Sequence, residues 1–170
     1  MEKIKKKISE QLSLKEIGSS NPSKKIVGVI GGSKADRETK LLARELGREI
    51  ANNGYILVCG GLRGVMEAVC RGAREAGGIT IGILPGKHKN TANPFVTIPI
   101  VTAMSHARNA IIVRTADILI AVDGRYGTLS EIGLAKSIGK RVIGLNTWKG
   151  IPGIERVNSP KQAIQRVKGK

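Results

Sequence analysis

The stretch Lys25-Ile26-Val27-Gly28-Val29-Ile30-Gly31-Gly32-Ser33 decides the fold. Its apolar run, Lys25–Ile30, predicts a strand buried on both faces, and Gly31-Gly32-Ser33 predicts a tight turn after it. A helical pattern follows over Asp36–Asn53, with an apolar face made of Leu41, Leu42, Leu46 and Ile50. A buried strand, a glycine-rich turn and a helix form the first part of a parallel β-α-β unit.

The same succession recurs along the chain. Apolar runs predict strands at Tyr55–Cys59, Ile79–Leu84, Val96–Val101, Asp117–Val122 and Arg141–Leu145. Helical patterns cover Gly64–Ala76, Ser105–Thr115, Gly127–Ile138 and, at the end, Lys161–Lys168. Strands that alternate with helices form right-handed crossovers and a parallel sheet. The predicted fold is therefore α/β: a Rossmann-like, doubly wound parallel sheet in a three-layer α/β/α sandwich.

The length and the pattern together predict one domain with an N-terminal extension. Residues 1–24 read as a basic amphipathic helix followed by a linker, and residues 25–170 as a single Rossmann-like nucleotide-binding domain. The composition, with 41% hydrophobic and 25% charged residues, is typical of a globular protein.

The net charge of +16 fits an anionic ligand or a polyanionic partner. Only 2% of the residues are aromatic, which disfavours the stacking platforms that bind single-stranded nucleic acid. The basic excess is also spread toward both ends of the chain. We therefore do not expect specific nucleic-acid binding.

No apolar run approaches the roughly 18 residues of a membrane span, and no secretory signal is recognisable. We expect a cytoplasmic protein without a membrane partner. The two cysteines, Cys59 and Cys70, lack the spacing of a metal site and are interpreted as buried, small hydrophobic residues in a reducing compartment. We expect no metal site.

Three glycine-rich turns follow predicted strands: Gly31-Gly32-Ser33, Gly60–Gly64 and Asp123–Thr128. In a parallel sheet these turns share the carboxyl edge, where ligands bind. Glycine allows close backbone approach, and the following helix N-terminus offers free N–H groups to an anion. Each turn alone is explained by chain reversal, but three on one edge favour a ligand that carries phosphate.

Other phosphate-binding families fit poorly. The chain has no GxxxxGK[ST] segment, which excludes a P-loop nucleoside triphosphatase. The spacing of Gly28, Gly31 and Gly32 does not match the G-x-G-x-x-G fingerprint of dinucleotide-dependent dehydrogenases.

The third turn brings a carboxylate toward this edge. Glu131 lies one helical turn after Gly127 and Thr128. Two interpretations are equally open: a functional carboxylate beside the ligand, or the partner of Thr128 in a Thr-x-x-Glu capping box. Upstream, Ser105 is a plausible N-cap, Arg108 can face the same crevice, and His106 reads as a surface residue at a helix start.

The combined motifs resemble the LONELY GUY (LOG) superfamily, whose members often carry the label "possible lysine decarboxylase". The resemblance covers residues 25–147 and is nearest to the small prokaryotic branch that reads GGxxGVMEA, ARN and GTLSE. The matching segments are Val58–Glu67, Ala107-Arg108-Asn109 and Asp123–Glu131.

The resemblance implies a Rossmann-like homodimer. In characterised LOG enzymes the activity cuts the N-glycosidic bond of a nucleoside 5′-monophosphate, giving the base and ribose 5-phosphate. It further implies a catalytic pair, Arg108 and Glu131, that needs no cofactor. The residues implied for binding the phosphorylated nucleotide are Gly31, Gly32, Ser33, Gly60, Gly61, Gly64, Met66, Asp123, Gly124, Arg125, Tyr126, Gly127 and Thr128.

The sequence departs from the enzymes' PGGxGTxxE signature. Asp123 replaces the proline, Arg125 replaces the second glycine, and Asn109 replaces a lysine after the arginine. No lysine supports the pyridoxal chemistry of a decarboxylase. The main alternative is a carrier or sensor of a nucleotide or of the molybdenum cofactor. A homo-oligomer is expected, with the apolar face of Ala107–Val113 as its candidate surface.

Overall fold

Within residues 24–169, which the computed structural model describes, seven parallel strands form one sheet in the order β4-β3-β2-β1-β5-β6-β7. The N-terminal helix and linker predicted at residues 1–24 lie outside the described residues, except for residue 24. The strand bounds are Ile26–Gly31 (β1), Ile56–Cys59 (β2), Thr80–Leu84 (β3), Ile98–Val101 (β4), Ile118–Val122 (β5), Val142–Leu145 (β6) and Glu155–Val157 (β7).

The strand order reverses between β1 and β5. From β1 the chain builds outward through β2, β3 and β4, and then returns to place β5 on the other side of β1. The pairing runs from Val27 opposite Ile118 to Gly31 opposite Val122, so both strands end together. The loops that leave β1 and β5 diverge at this point, which opens a crevice at the carboxyl edge.

Helices cover both faces of the sheet and complete the three-layer α/β/α sandwich. Their bounds are Arg37–Asn52 (α1), Val65–Glu75 (α2), Asn109–Thr115 (α3), Tyr126–Ser137 (α4) and Pro160–Lys168 (α5). Helices α1, α2 and α5 pack on one face around Leu46, Val69 and Ile164. Helices α3 and α4 pack on the other around Ile112 and Ile132. The predicted fold class is confirmed.

Helices α1 and α2 cross in backbone contact. A Cβ added to Gly72 would lie 1.8 Å from the Arg44 carbonyl oxygen, and one added to Gly47 would lie 2.0 Å from the Val69 carbonyl oxygen. Only glycine therefore fits at both positions. The close crossing fixes α2, and with it the turn before α2, against the sheet.

Three details differ from the prediction. Strand β7 was missed, because Glu155-Arg156-Val157 pairs only with β6 and its charged residues lie at the sheet edge. The predicted helix Ser105–Thr115 is a 3₁₀ turn over Ser105–Arg108 followed by α3. Ser105 is not an N-cap: it has a φ of 49°, and Met104 precedes the turn.

A short 3₁₀ turn, Lys89–Thr91, lies in the loop between β3 and β4. Across residues 24–169, no helix has both the length and the apolar character that spanning a membrane demands.

Candidate functional site

A cavity of about 340 Å³ opens at the carboxyl edge, where β1 and β5 diverge. Its size falls in the range of small-ligand pockets, roughly 300–1,000 Å³. The predicted residues that line it are Gly31, Gly32, Ser33, Gly60, Met66, Arg108, Arg125, Gly127, Thr128 and Glu131. The three glycine-rich turns therefore meet around one space, as their positions after neighbouring strands predict.

The N-terminus of α4 offers an anion subsite in this cavity. Asp36 caps the N-terminus of α1, and its carboxylate already accepts a hydrogen bond from the Thr39 N–H at 2.7 Å. At the start of α2, the Val65 N–H donates to the Gly32 carbonyl at 3.0 Å. Helix α4 begins after Arg125 without any side-chain cap, so its first N–H groups remain for a ligand.

The charge of the cavity also favours an anion. Lys34, Arg108 and Arg125 line it, whereas Glu131 is its only carboxylate among the described residues. Lys34 and Arg125 are exposed and line the cavity next to the first turn and within the third turn. Coulombic attraction and the α4 dipole act in the same direction on a bound phosphate.

Arg108 and Glu131 form a buried ionic pair at the base of the cavity. Arg108 Nη1 lies 3.9 Å from Glu131 Oε1, and their side chains are only 9% and 8% exposed. Burial raises the pKa of Glu131 to about 7, because the nearby guanidinium only partly offsets the loss of solvation. Burial lowers the pKa of Arg108, and Glu131 opposes that shift.

Asn109 positions Arg108. The Asn109 side-chain oxygen accepts a hydrogen bond from Arg108 Nη1. Arg108 Nε is buried and has no hydrogen-bond partner among the described residues. Gly60 leaves room for this arrangement, since a Cβ there would lie 2.6 Å from Arg108 Nη2. A buried arginine donor without a partner is exceptional in a folded protein, and here it belongs to a residue that lines the cavity.

The second turn is fastened by a buried side chain from a distant loop. Asn93 donates from Nδ2 to the Leu62 carbonyl at 2.9 Å, and its own N–H donates to the Gly61 carbonyl at 2.9 Å. Gly64 has a φ of +68°, and a Cβ there would strike the Gly32 carbonyl oxygen at 2.4 Å. The first and second turns are thus held in direct contact.

The third turn is fastened by the loop that follows β6. Thr147 donates from its hydroxyl to the Asp123 carbonyl at 2.6 Å, and the Trp148 indole N–H donates to the Arg125 carbonyl at 3.3 Å. Asp123 and Gly124 both have positive φ, 49° and 105°, which turns the chain sharply before α4.

Five predicted residues do not line the cavity: Gly61, Gly64, Asp123, Gly124 and Tyr126. The first four shape the turns, and Tyr126 points elsewhere. The capping-box interpretation of Glu131 is wrong, because Arg125 occupies the N-cap position and Thr128 lies inside α4 without a capping bond. Glu131 is therefore free of a capping role.

Six further residues line the cavity that were not predicted as site residues: Val29, Ile30, Lys34, Leu62, His106 and Asn109. His106 was interpreted as a surface residue; it is exposed and also lines the cavity. The available signal in the sequence was its position two residues before Arg108, at the start of a predicted helix. Lys34 directly follows the first predicted turn, and extending that turn by one residue would have included it.

The two cysteines lie beneath the second turn. Cys59 and Cys70 are both fully buried, with their sulfur atoms 3.5 Å apart. The neighbouring Cys70 thiol, with help from the Gly61 N–H, lowers the pKa of Cys59, while the pKa of Cys70 is raised. Among the described residues, no group of three or more His, Cys, Asp or Glu side chains could hold a metal ion.

The fold and this cavity define a Rossmann-like protein of the LOG type. The chain belongs to the SLOG cluster4 family, whose sequence profile matches residues 24–169.

Three similar proteins illustrate the range of this superfamily. An uncharacterized protein of Archaeoglobus fulgidus is 46% identical over 138 residues, 81% of this chain and 91% of its own length. A cytokinin riboside 5′-monophosphate phosphoribohydrolase of Rhodococcoides fascians is 33% identical over 66% of this chain, a match that spans 60% of the enzyme. The molybdenum cofactor binding protein of Rippkaea orientalis superposes with a TM-score of 0.83 at 36% identity, covering 87% of this chain and 98% of that one.

Proposed function

We propose that this protein binds a nucleoside 5′-monophosphate and hydrolyses its N-glycosidic bond to the free base and ribose 5-phosphate. The observation that carries the proposal is the buried Arg108–Glu131 pair, which lies in the same cavity as the uncapped N-terminus of α4. The similarity to phosphoribohydrolases supports the same reaction.

Each part of the cavity has a role in this reaction. The N–H groups of Gly127 and Thr128, with Lys34 and Arg125, bind the 5′-phosphate and so fix the ribose. As the C1′–N bond breaks, positive charge develops on the ribose, and the Glu131 carboxylate stabilises it. A water molecule adds to C1′ and gives a proton to Glu131, which passes it to the departing base.

Arg108 acts on the carboxylate and on the ligand. Its guanidinium, at 3.9 Å from Glu131, favours the ionised form that the reaction needs. Arg108 also lines the cavity, where its side chain can donate a hydrogen bond to the ribose or to the base. With these roles for Arg108 and Glu131, the proposed hydrolysis needs no cofactor.

The test is turnover with a matched pair of variants. Purified protein is incubated with a panel of nucleoside monophosphates, AMP first, and free base and ribose 5-phosphate are measured by chromatography. Glu131→Gln should lose turnover, by about 10²-fold or more for a group that stabilises the transition state, while it keeps phosphate affinity. Glu67→Gln, which removes a carboxylate outside the cavity, should keep both.

A second function is favoured by Arg125. This exposed cation stands where the LOG signature has glycine, and it adds charge to the mouth of the cavity. Together with the similarity to a molybdenum cofactor binding protein, it favours a carrier that holds a phosphorylated ligand without cleaving it. Thermal stabilisation by AMP, or by a phosphorylated pterin, with no product release would select the carrier.

We also infer a cytoplasmic homo-oligomer. The face predicted for self-association, Ala107–Val113, is only partly available, because Ile112 and Val113 are fully buried in the core. The β4 edge is a stronger surface, since Ile98, Ile100 and Val101 are 42–45% exposed there. Light scattering of wild type and Ile100→Lys tests it: loss of the oligomer in the variant supports the β4 edge.

A further inference from the structure

The single tryptophan of the chain, Trp148, is partly buried against the core and forms an aromatic pair with the exposed Tyr126. The rings of Tyr126 and Trp148 lie 6.0 Å apart between centroids and are tilted by 39°. Tyr126 is 80% exposed, more than any other large apolar or aromatic side chain in the described residues. We call Tyr126 and Trp148 the aromatic shelf.

The shelf is fixed to the phosphate-binding turn. Trp148 donates its indole N–H to the Arg125 carbonyl at 3.3 Å, and the Trp148 carbonyl accepts from Arg156 Nη2 at 2.6 Å. Tyr126 is the first residue of α4, between Arg125 and Gly127, which both line the cavity. The shelf is therefore adjacent to the candidate phosphate subsite, on the β6 side of the carboxyl edge, outside the cavity.

The surroundings of the shelf are cationic. Arg125, Lys149 and Arg156 are exposed, and within the described residues no carboxylate lies within 4 Å of any of them. An exposed aromatic surface beside unpaired cations binds a planar heterocycle that is linked to phosphate. A monophosphate bound in the cavity would leave the shelf empty.

We propose that the aromatic shelf stacks the second heterocycle of a dinucleotide whose phosphates bind at the N-terminus of α4. The first nucleoside occupies the cavity, the pyrophosphate lies beside Arg125 and Gly127, and the second ring stacks on Tyr126. This inference rests on the proposed phosphate subsite of the function above. It assigns a ligand class larger than the nucleoside monophosphate.

The test compares three probes: AMP, ADP and diadenosine diphosphate. Affinities are measured at 0.15 M salt, and Trp148 fluorescence is recorded immediately on mixing, before turnover. Since Trp148 is the only tryptophan, its emission reports the shelf alone. One stacked base is expected to raise affinity about tenfold over ADP, and to quench the emission, which ADP does not.

The variants isolate the stacking contribution. Tyr126→Ala should reduce the affinity ratio of diadenosine diphosphate to ADP to about 1, and Tyr126→Phe should retain the wild-type ratio, because stacking requires the ring and not the hydroxyl. Leu41→Ala truncates another exposed apolar side chain, which lies on α1 and outside the shelf. This variant should leave the affinity ratio unchanged.

The outcomes separate this inference from the proposed function. Equal affinity for ADP and the dinucleotide overturns the stacking proposal, even if AMP is hydrolysed. An affinity ratio that stays unchanged in Tyr126→Ala overturns it as well. Dinucleotide binding with quenching, but no AMP hydrolysis, supports the shelf and refutes the hydrolase. A change of oligomeric state in Tyr126→Ala, or tighter binding of a single-stranded oligoadenylate than of the dinucleotide, also overturns the proposal.

Discussion

The pH dependence of stability should report the buried Glu131 carboxyl. Its pKa is about 7 in the folded protein against an ordinary value of 4.5, because burial penalises the charged form. A carboxyl with a raised folded pKa contributes most stability below pH 4.5, and this contribution is lost as the pH rises through about 7. Glu131→Gln removes the titration and keeps the shape of the side chain.

The magnitude follows from the two pKa values. A shift from 4.5 to about 7 corresponds to about 3 kcal/mol, at roughly 1.4 kcal/mol per pH unit. The free energy of unfolding of wild type minus that of Glu131→Gln should therefore fall by about 3 kcal/mol between pH 4 and pH 8. Arg108 stays charged across this range, so its altered environment adds only a constant offset.

Urea unfolding at 25 °C, at intervals of one pH unit, measures this difference. Glu67→Gln, which also removes one carboxylate, controls for the change in net charge. A difference between wild type and Glu131→Gln that stays constant from pH 4 to pH 8 would refute the raised pKa. A difference that grows with pH would mean that Arg108 outweighs burial and holds Glu131 as a carboxylate.

Three further predictions address the supports of the site. Asn109→Lys adds a cation beside Arg108, so the pKa of Glu131 should fall and the acid limb of the pH–rate profile for AMP should move to lower pH; an unmoved limb would exclude Glu131 as the titrating group. Asn93→Ala should lower the free energy of unfolding by about 1–3 kcal/mol in urea, because the second turn loses its hydrogen bond and the partly buried Leu62 carbonyl loses its partner; a neutral effect would contradict that anchoring role. Gly72→Ala should destabilise by about 1–3 kcal/mol or more through collision with the α1 backbone, whereas Gly133→Ala, in a helix with open space around it, should be neutral or stabilise by about 0.5–1 kcal/mol in the same assay.

The sequence was sufficient for the architecture because the fold is built from periodic signals. Apolar runs such as Lys25–Ile30 and helical faces such as Leu42–Ile50 each repeat a pattern that local physics dictates. The missed strand, Glu155–Val157, has no such pattern: its order comes from pairing with β6, a tertiary interaction. Ser105 likewise has a left-handed backbone that local propensity does not predict.

The candidate site was predictable as far as its turns, and less so in its supports. Glycines after buried strands mark the carboxyl edge, so Gly31, Gly60 and Gly127 could be placed around one ligand from sequence. Asn93 and Thr147 could not, because they fasten turns that lie 31 and 24 residues away along the chain. Contacts at that separation depend on the folded arrangement.

The two proposed functions, hydrolysis and ligand carriage, make different demands on the protonation state of Glu131. A protonated Glu131 donates a hydrogen bond and retains a ligand, but it cannot stabilise an oxocarbenium ion. Because its pKa is about 7, both forms are populated at neutral pH. A bound phosphate dianion would raise that pKa further, whereas Arg108 opposes the rise. In LOG enzymes a second cation stands where this chain has Asn109, so the neutral amide removes charge that favours the carboxylate. We therefore predict that the residue at position 109 shifts the proposed balance between hydrolysis and ligand binding in this cavity, and the pH–rate profile of Asn109→Lys tests that prediction directly.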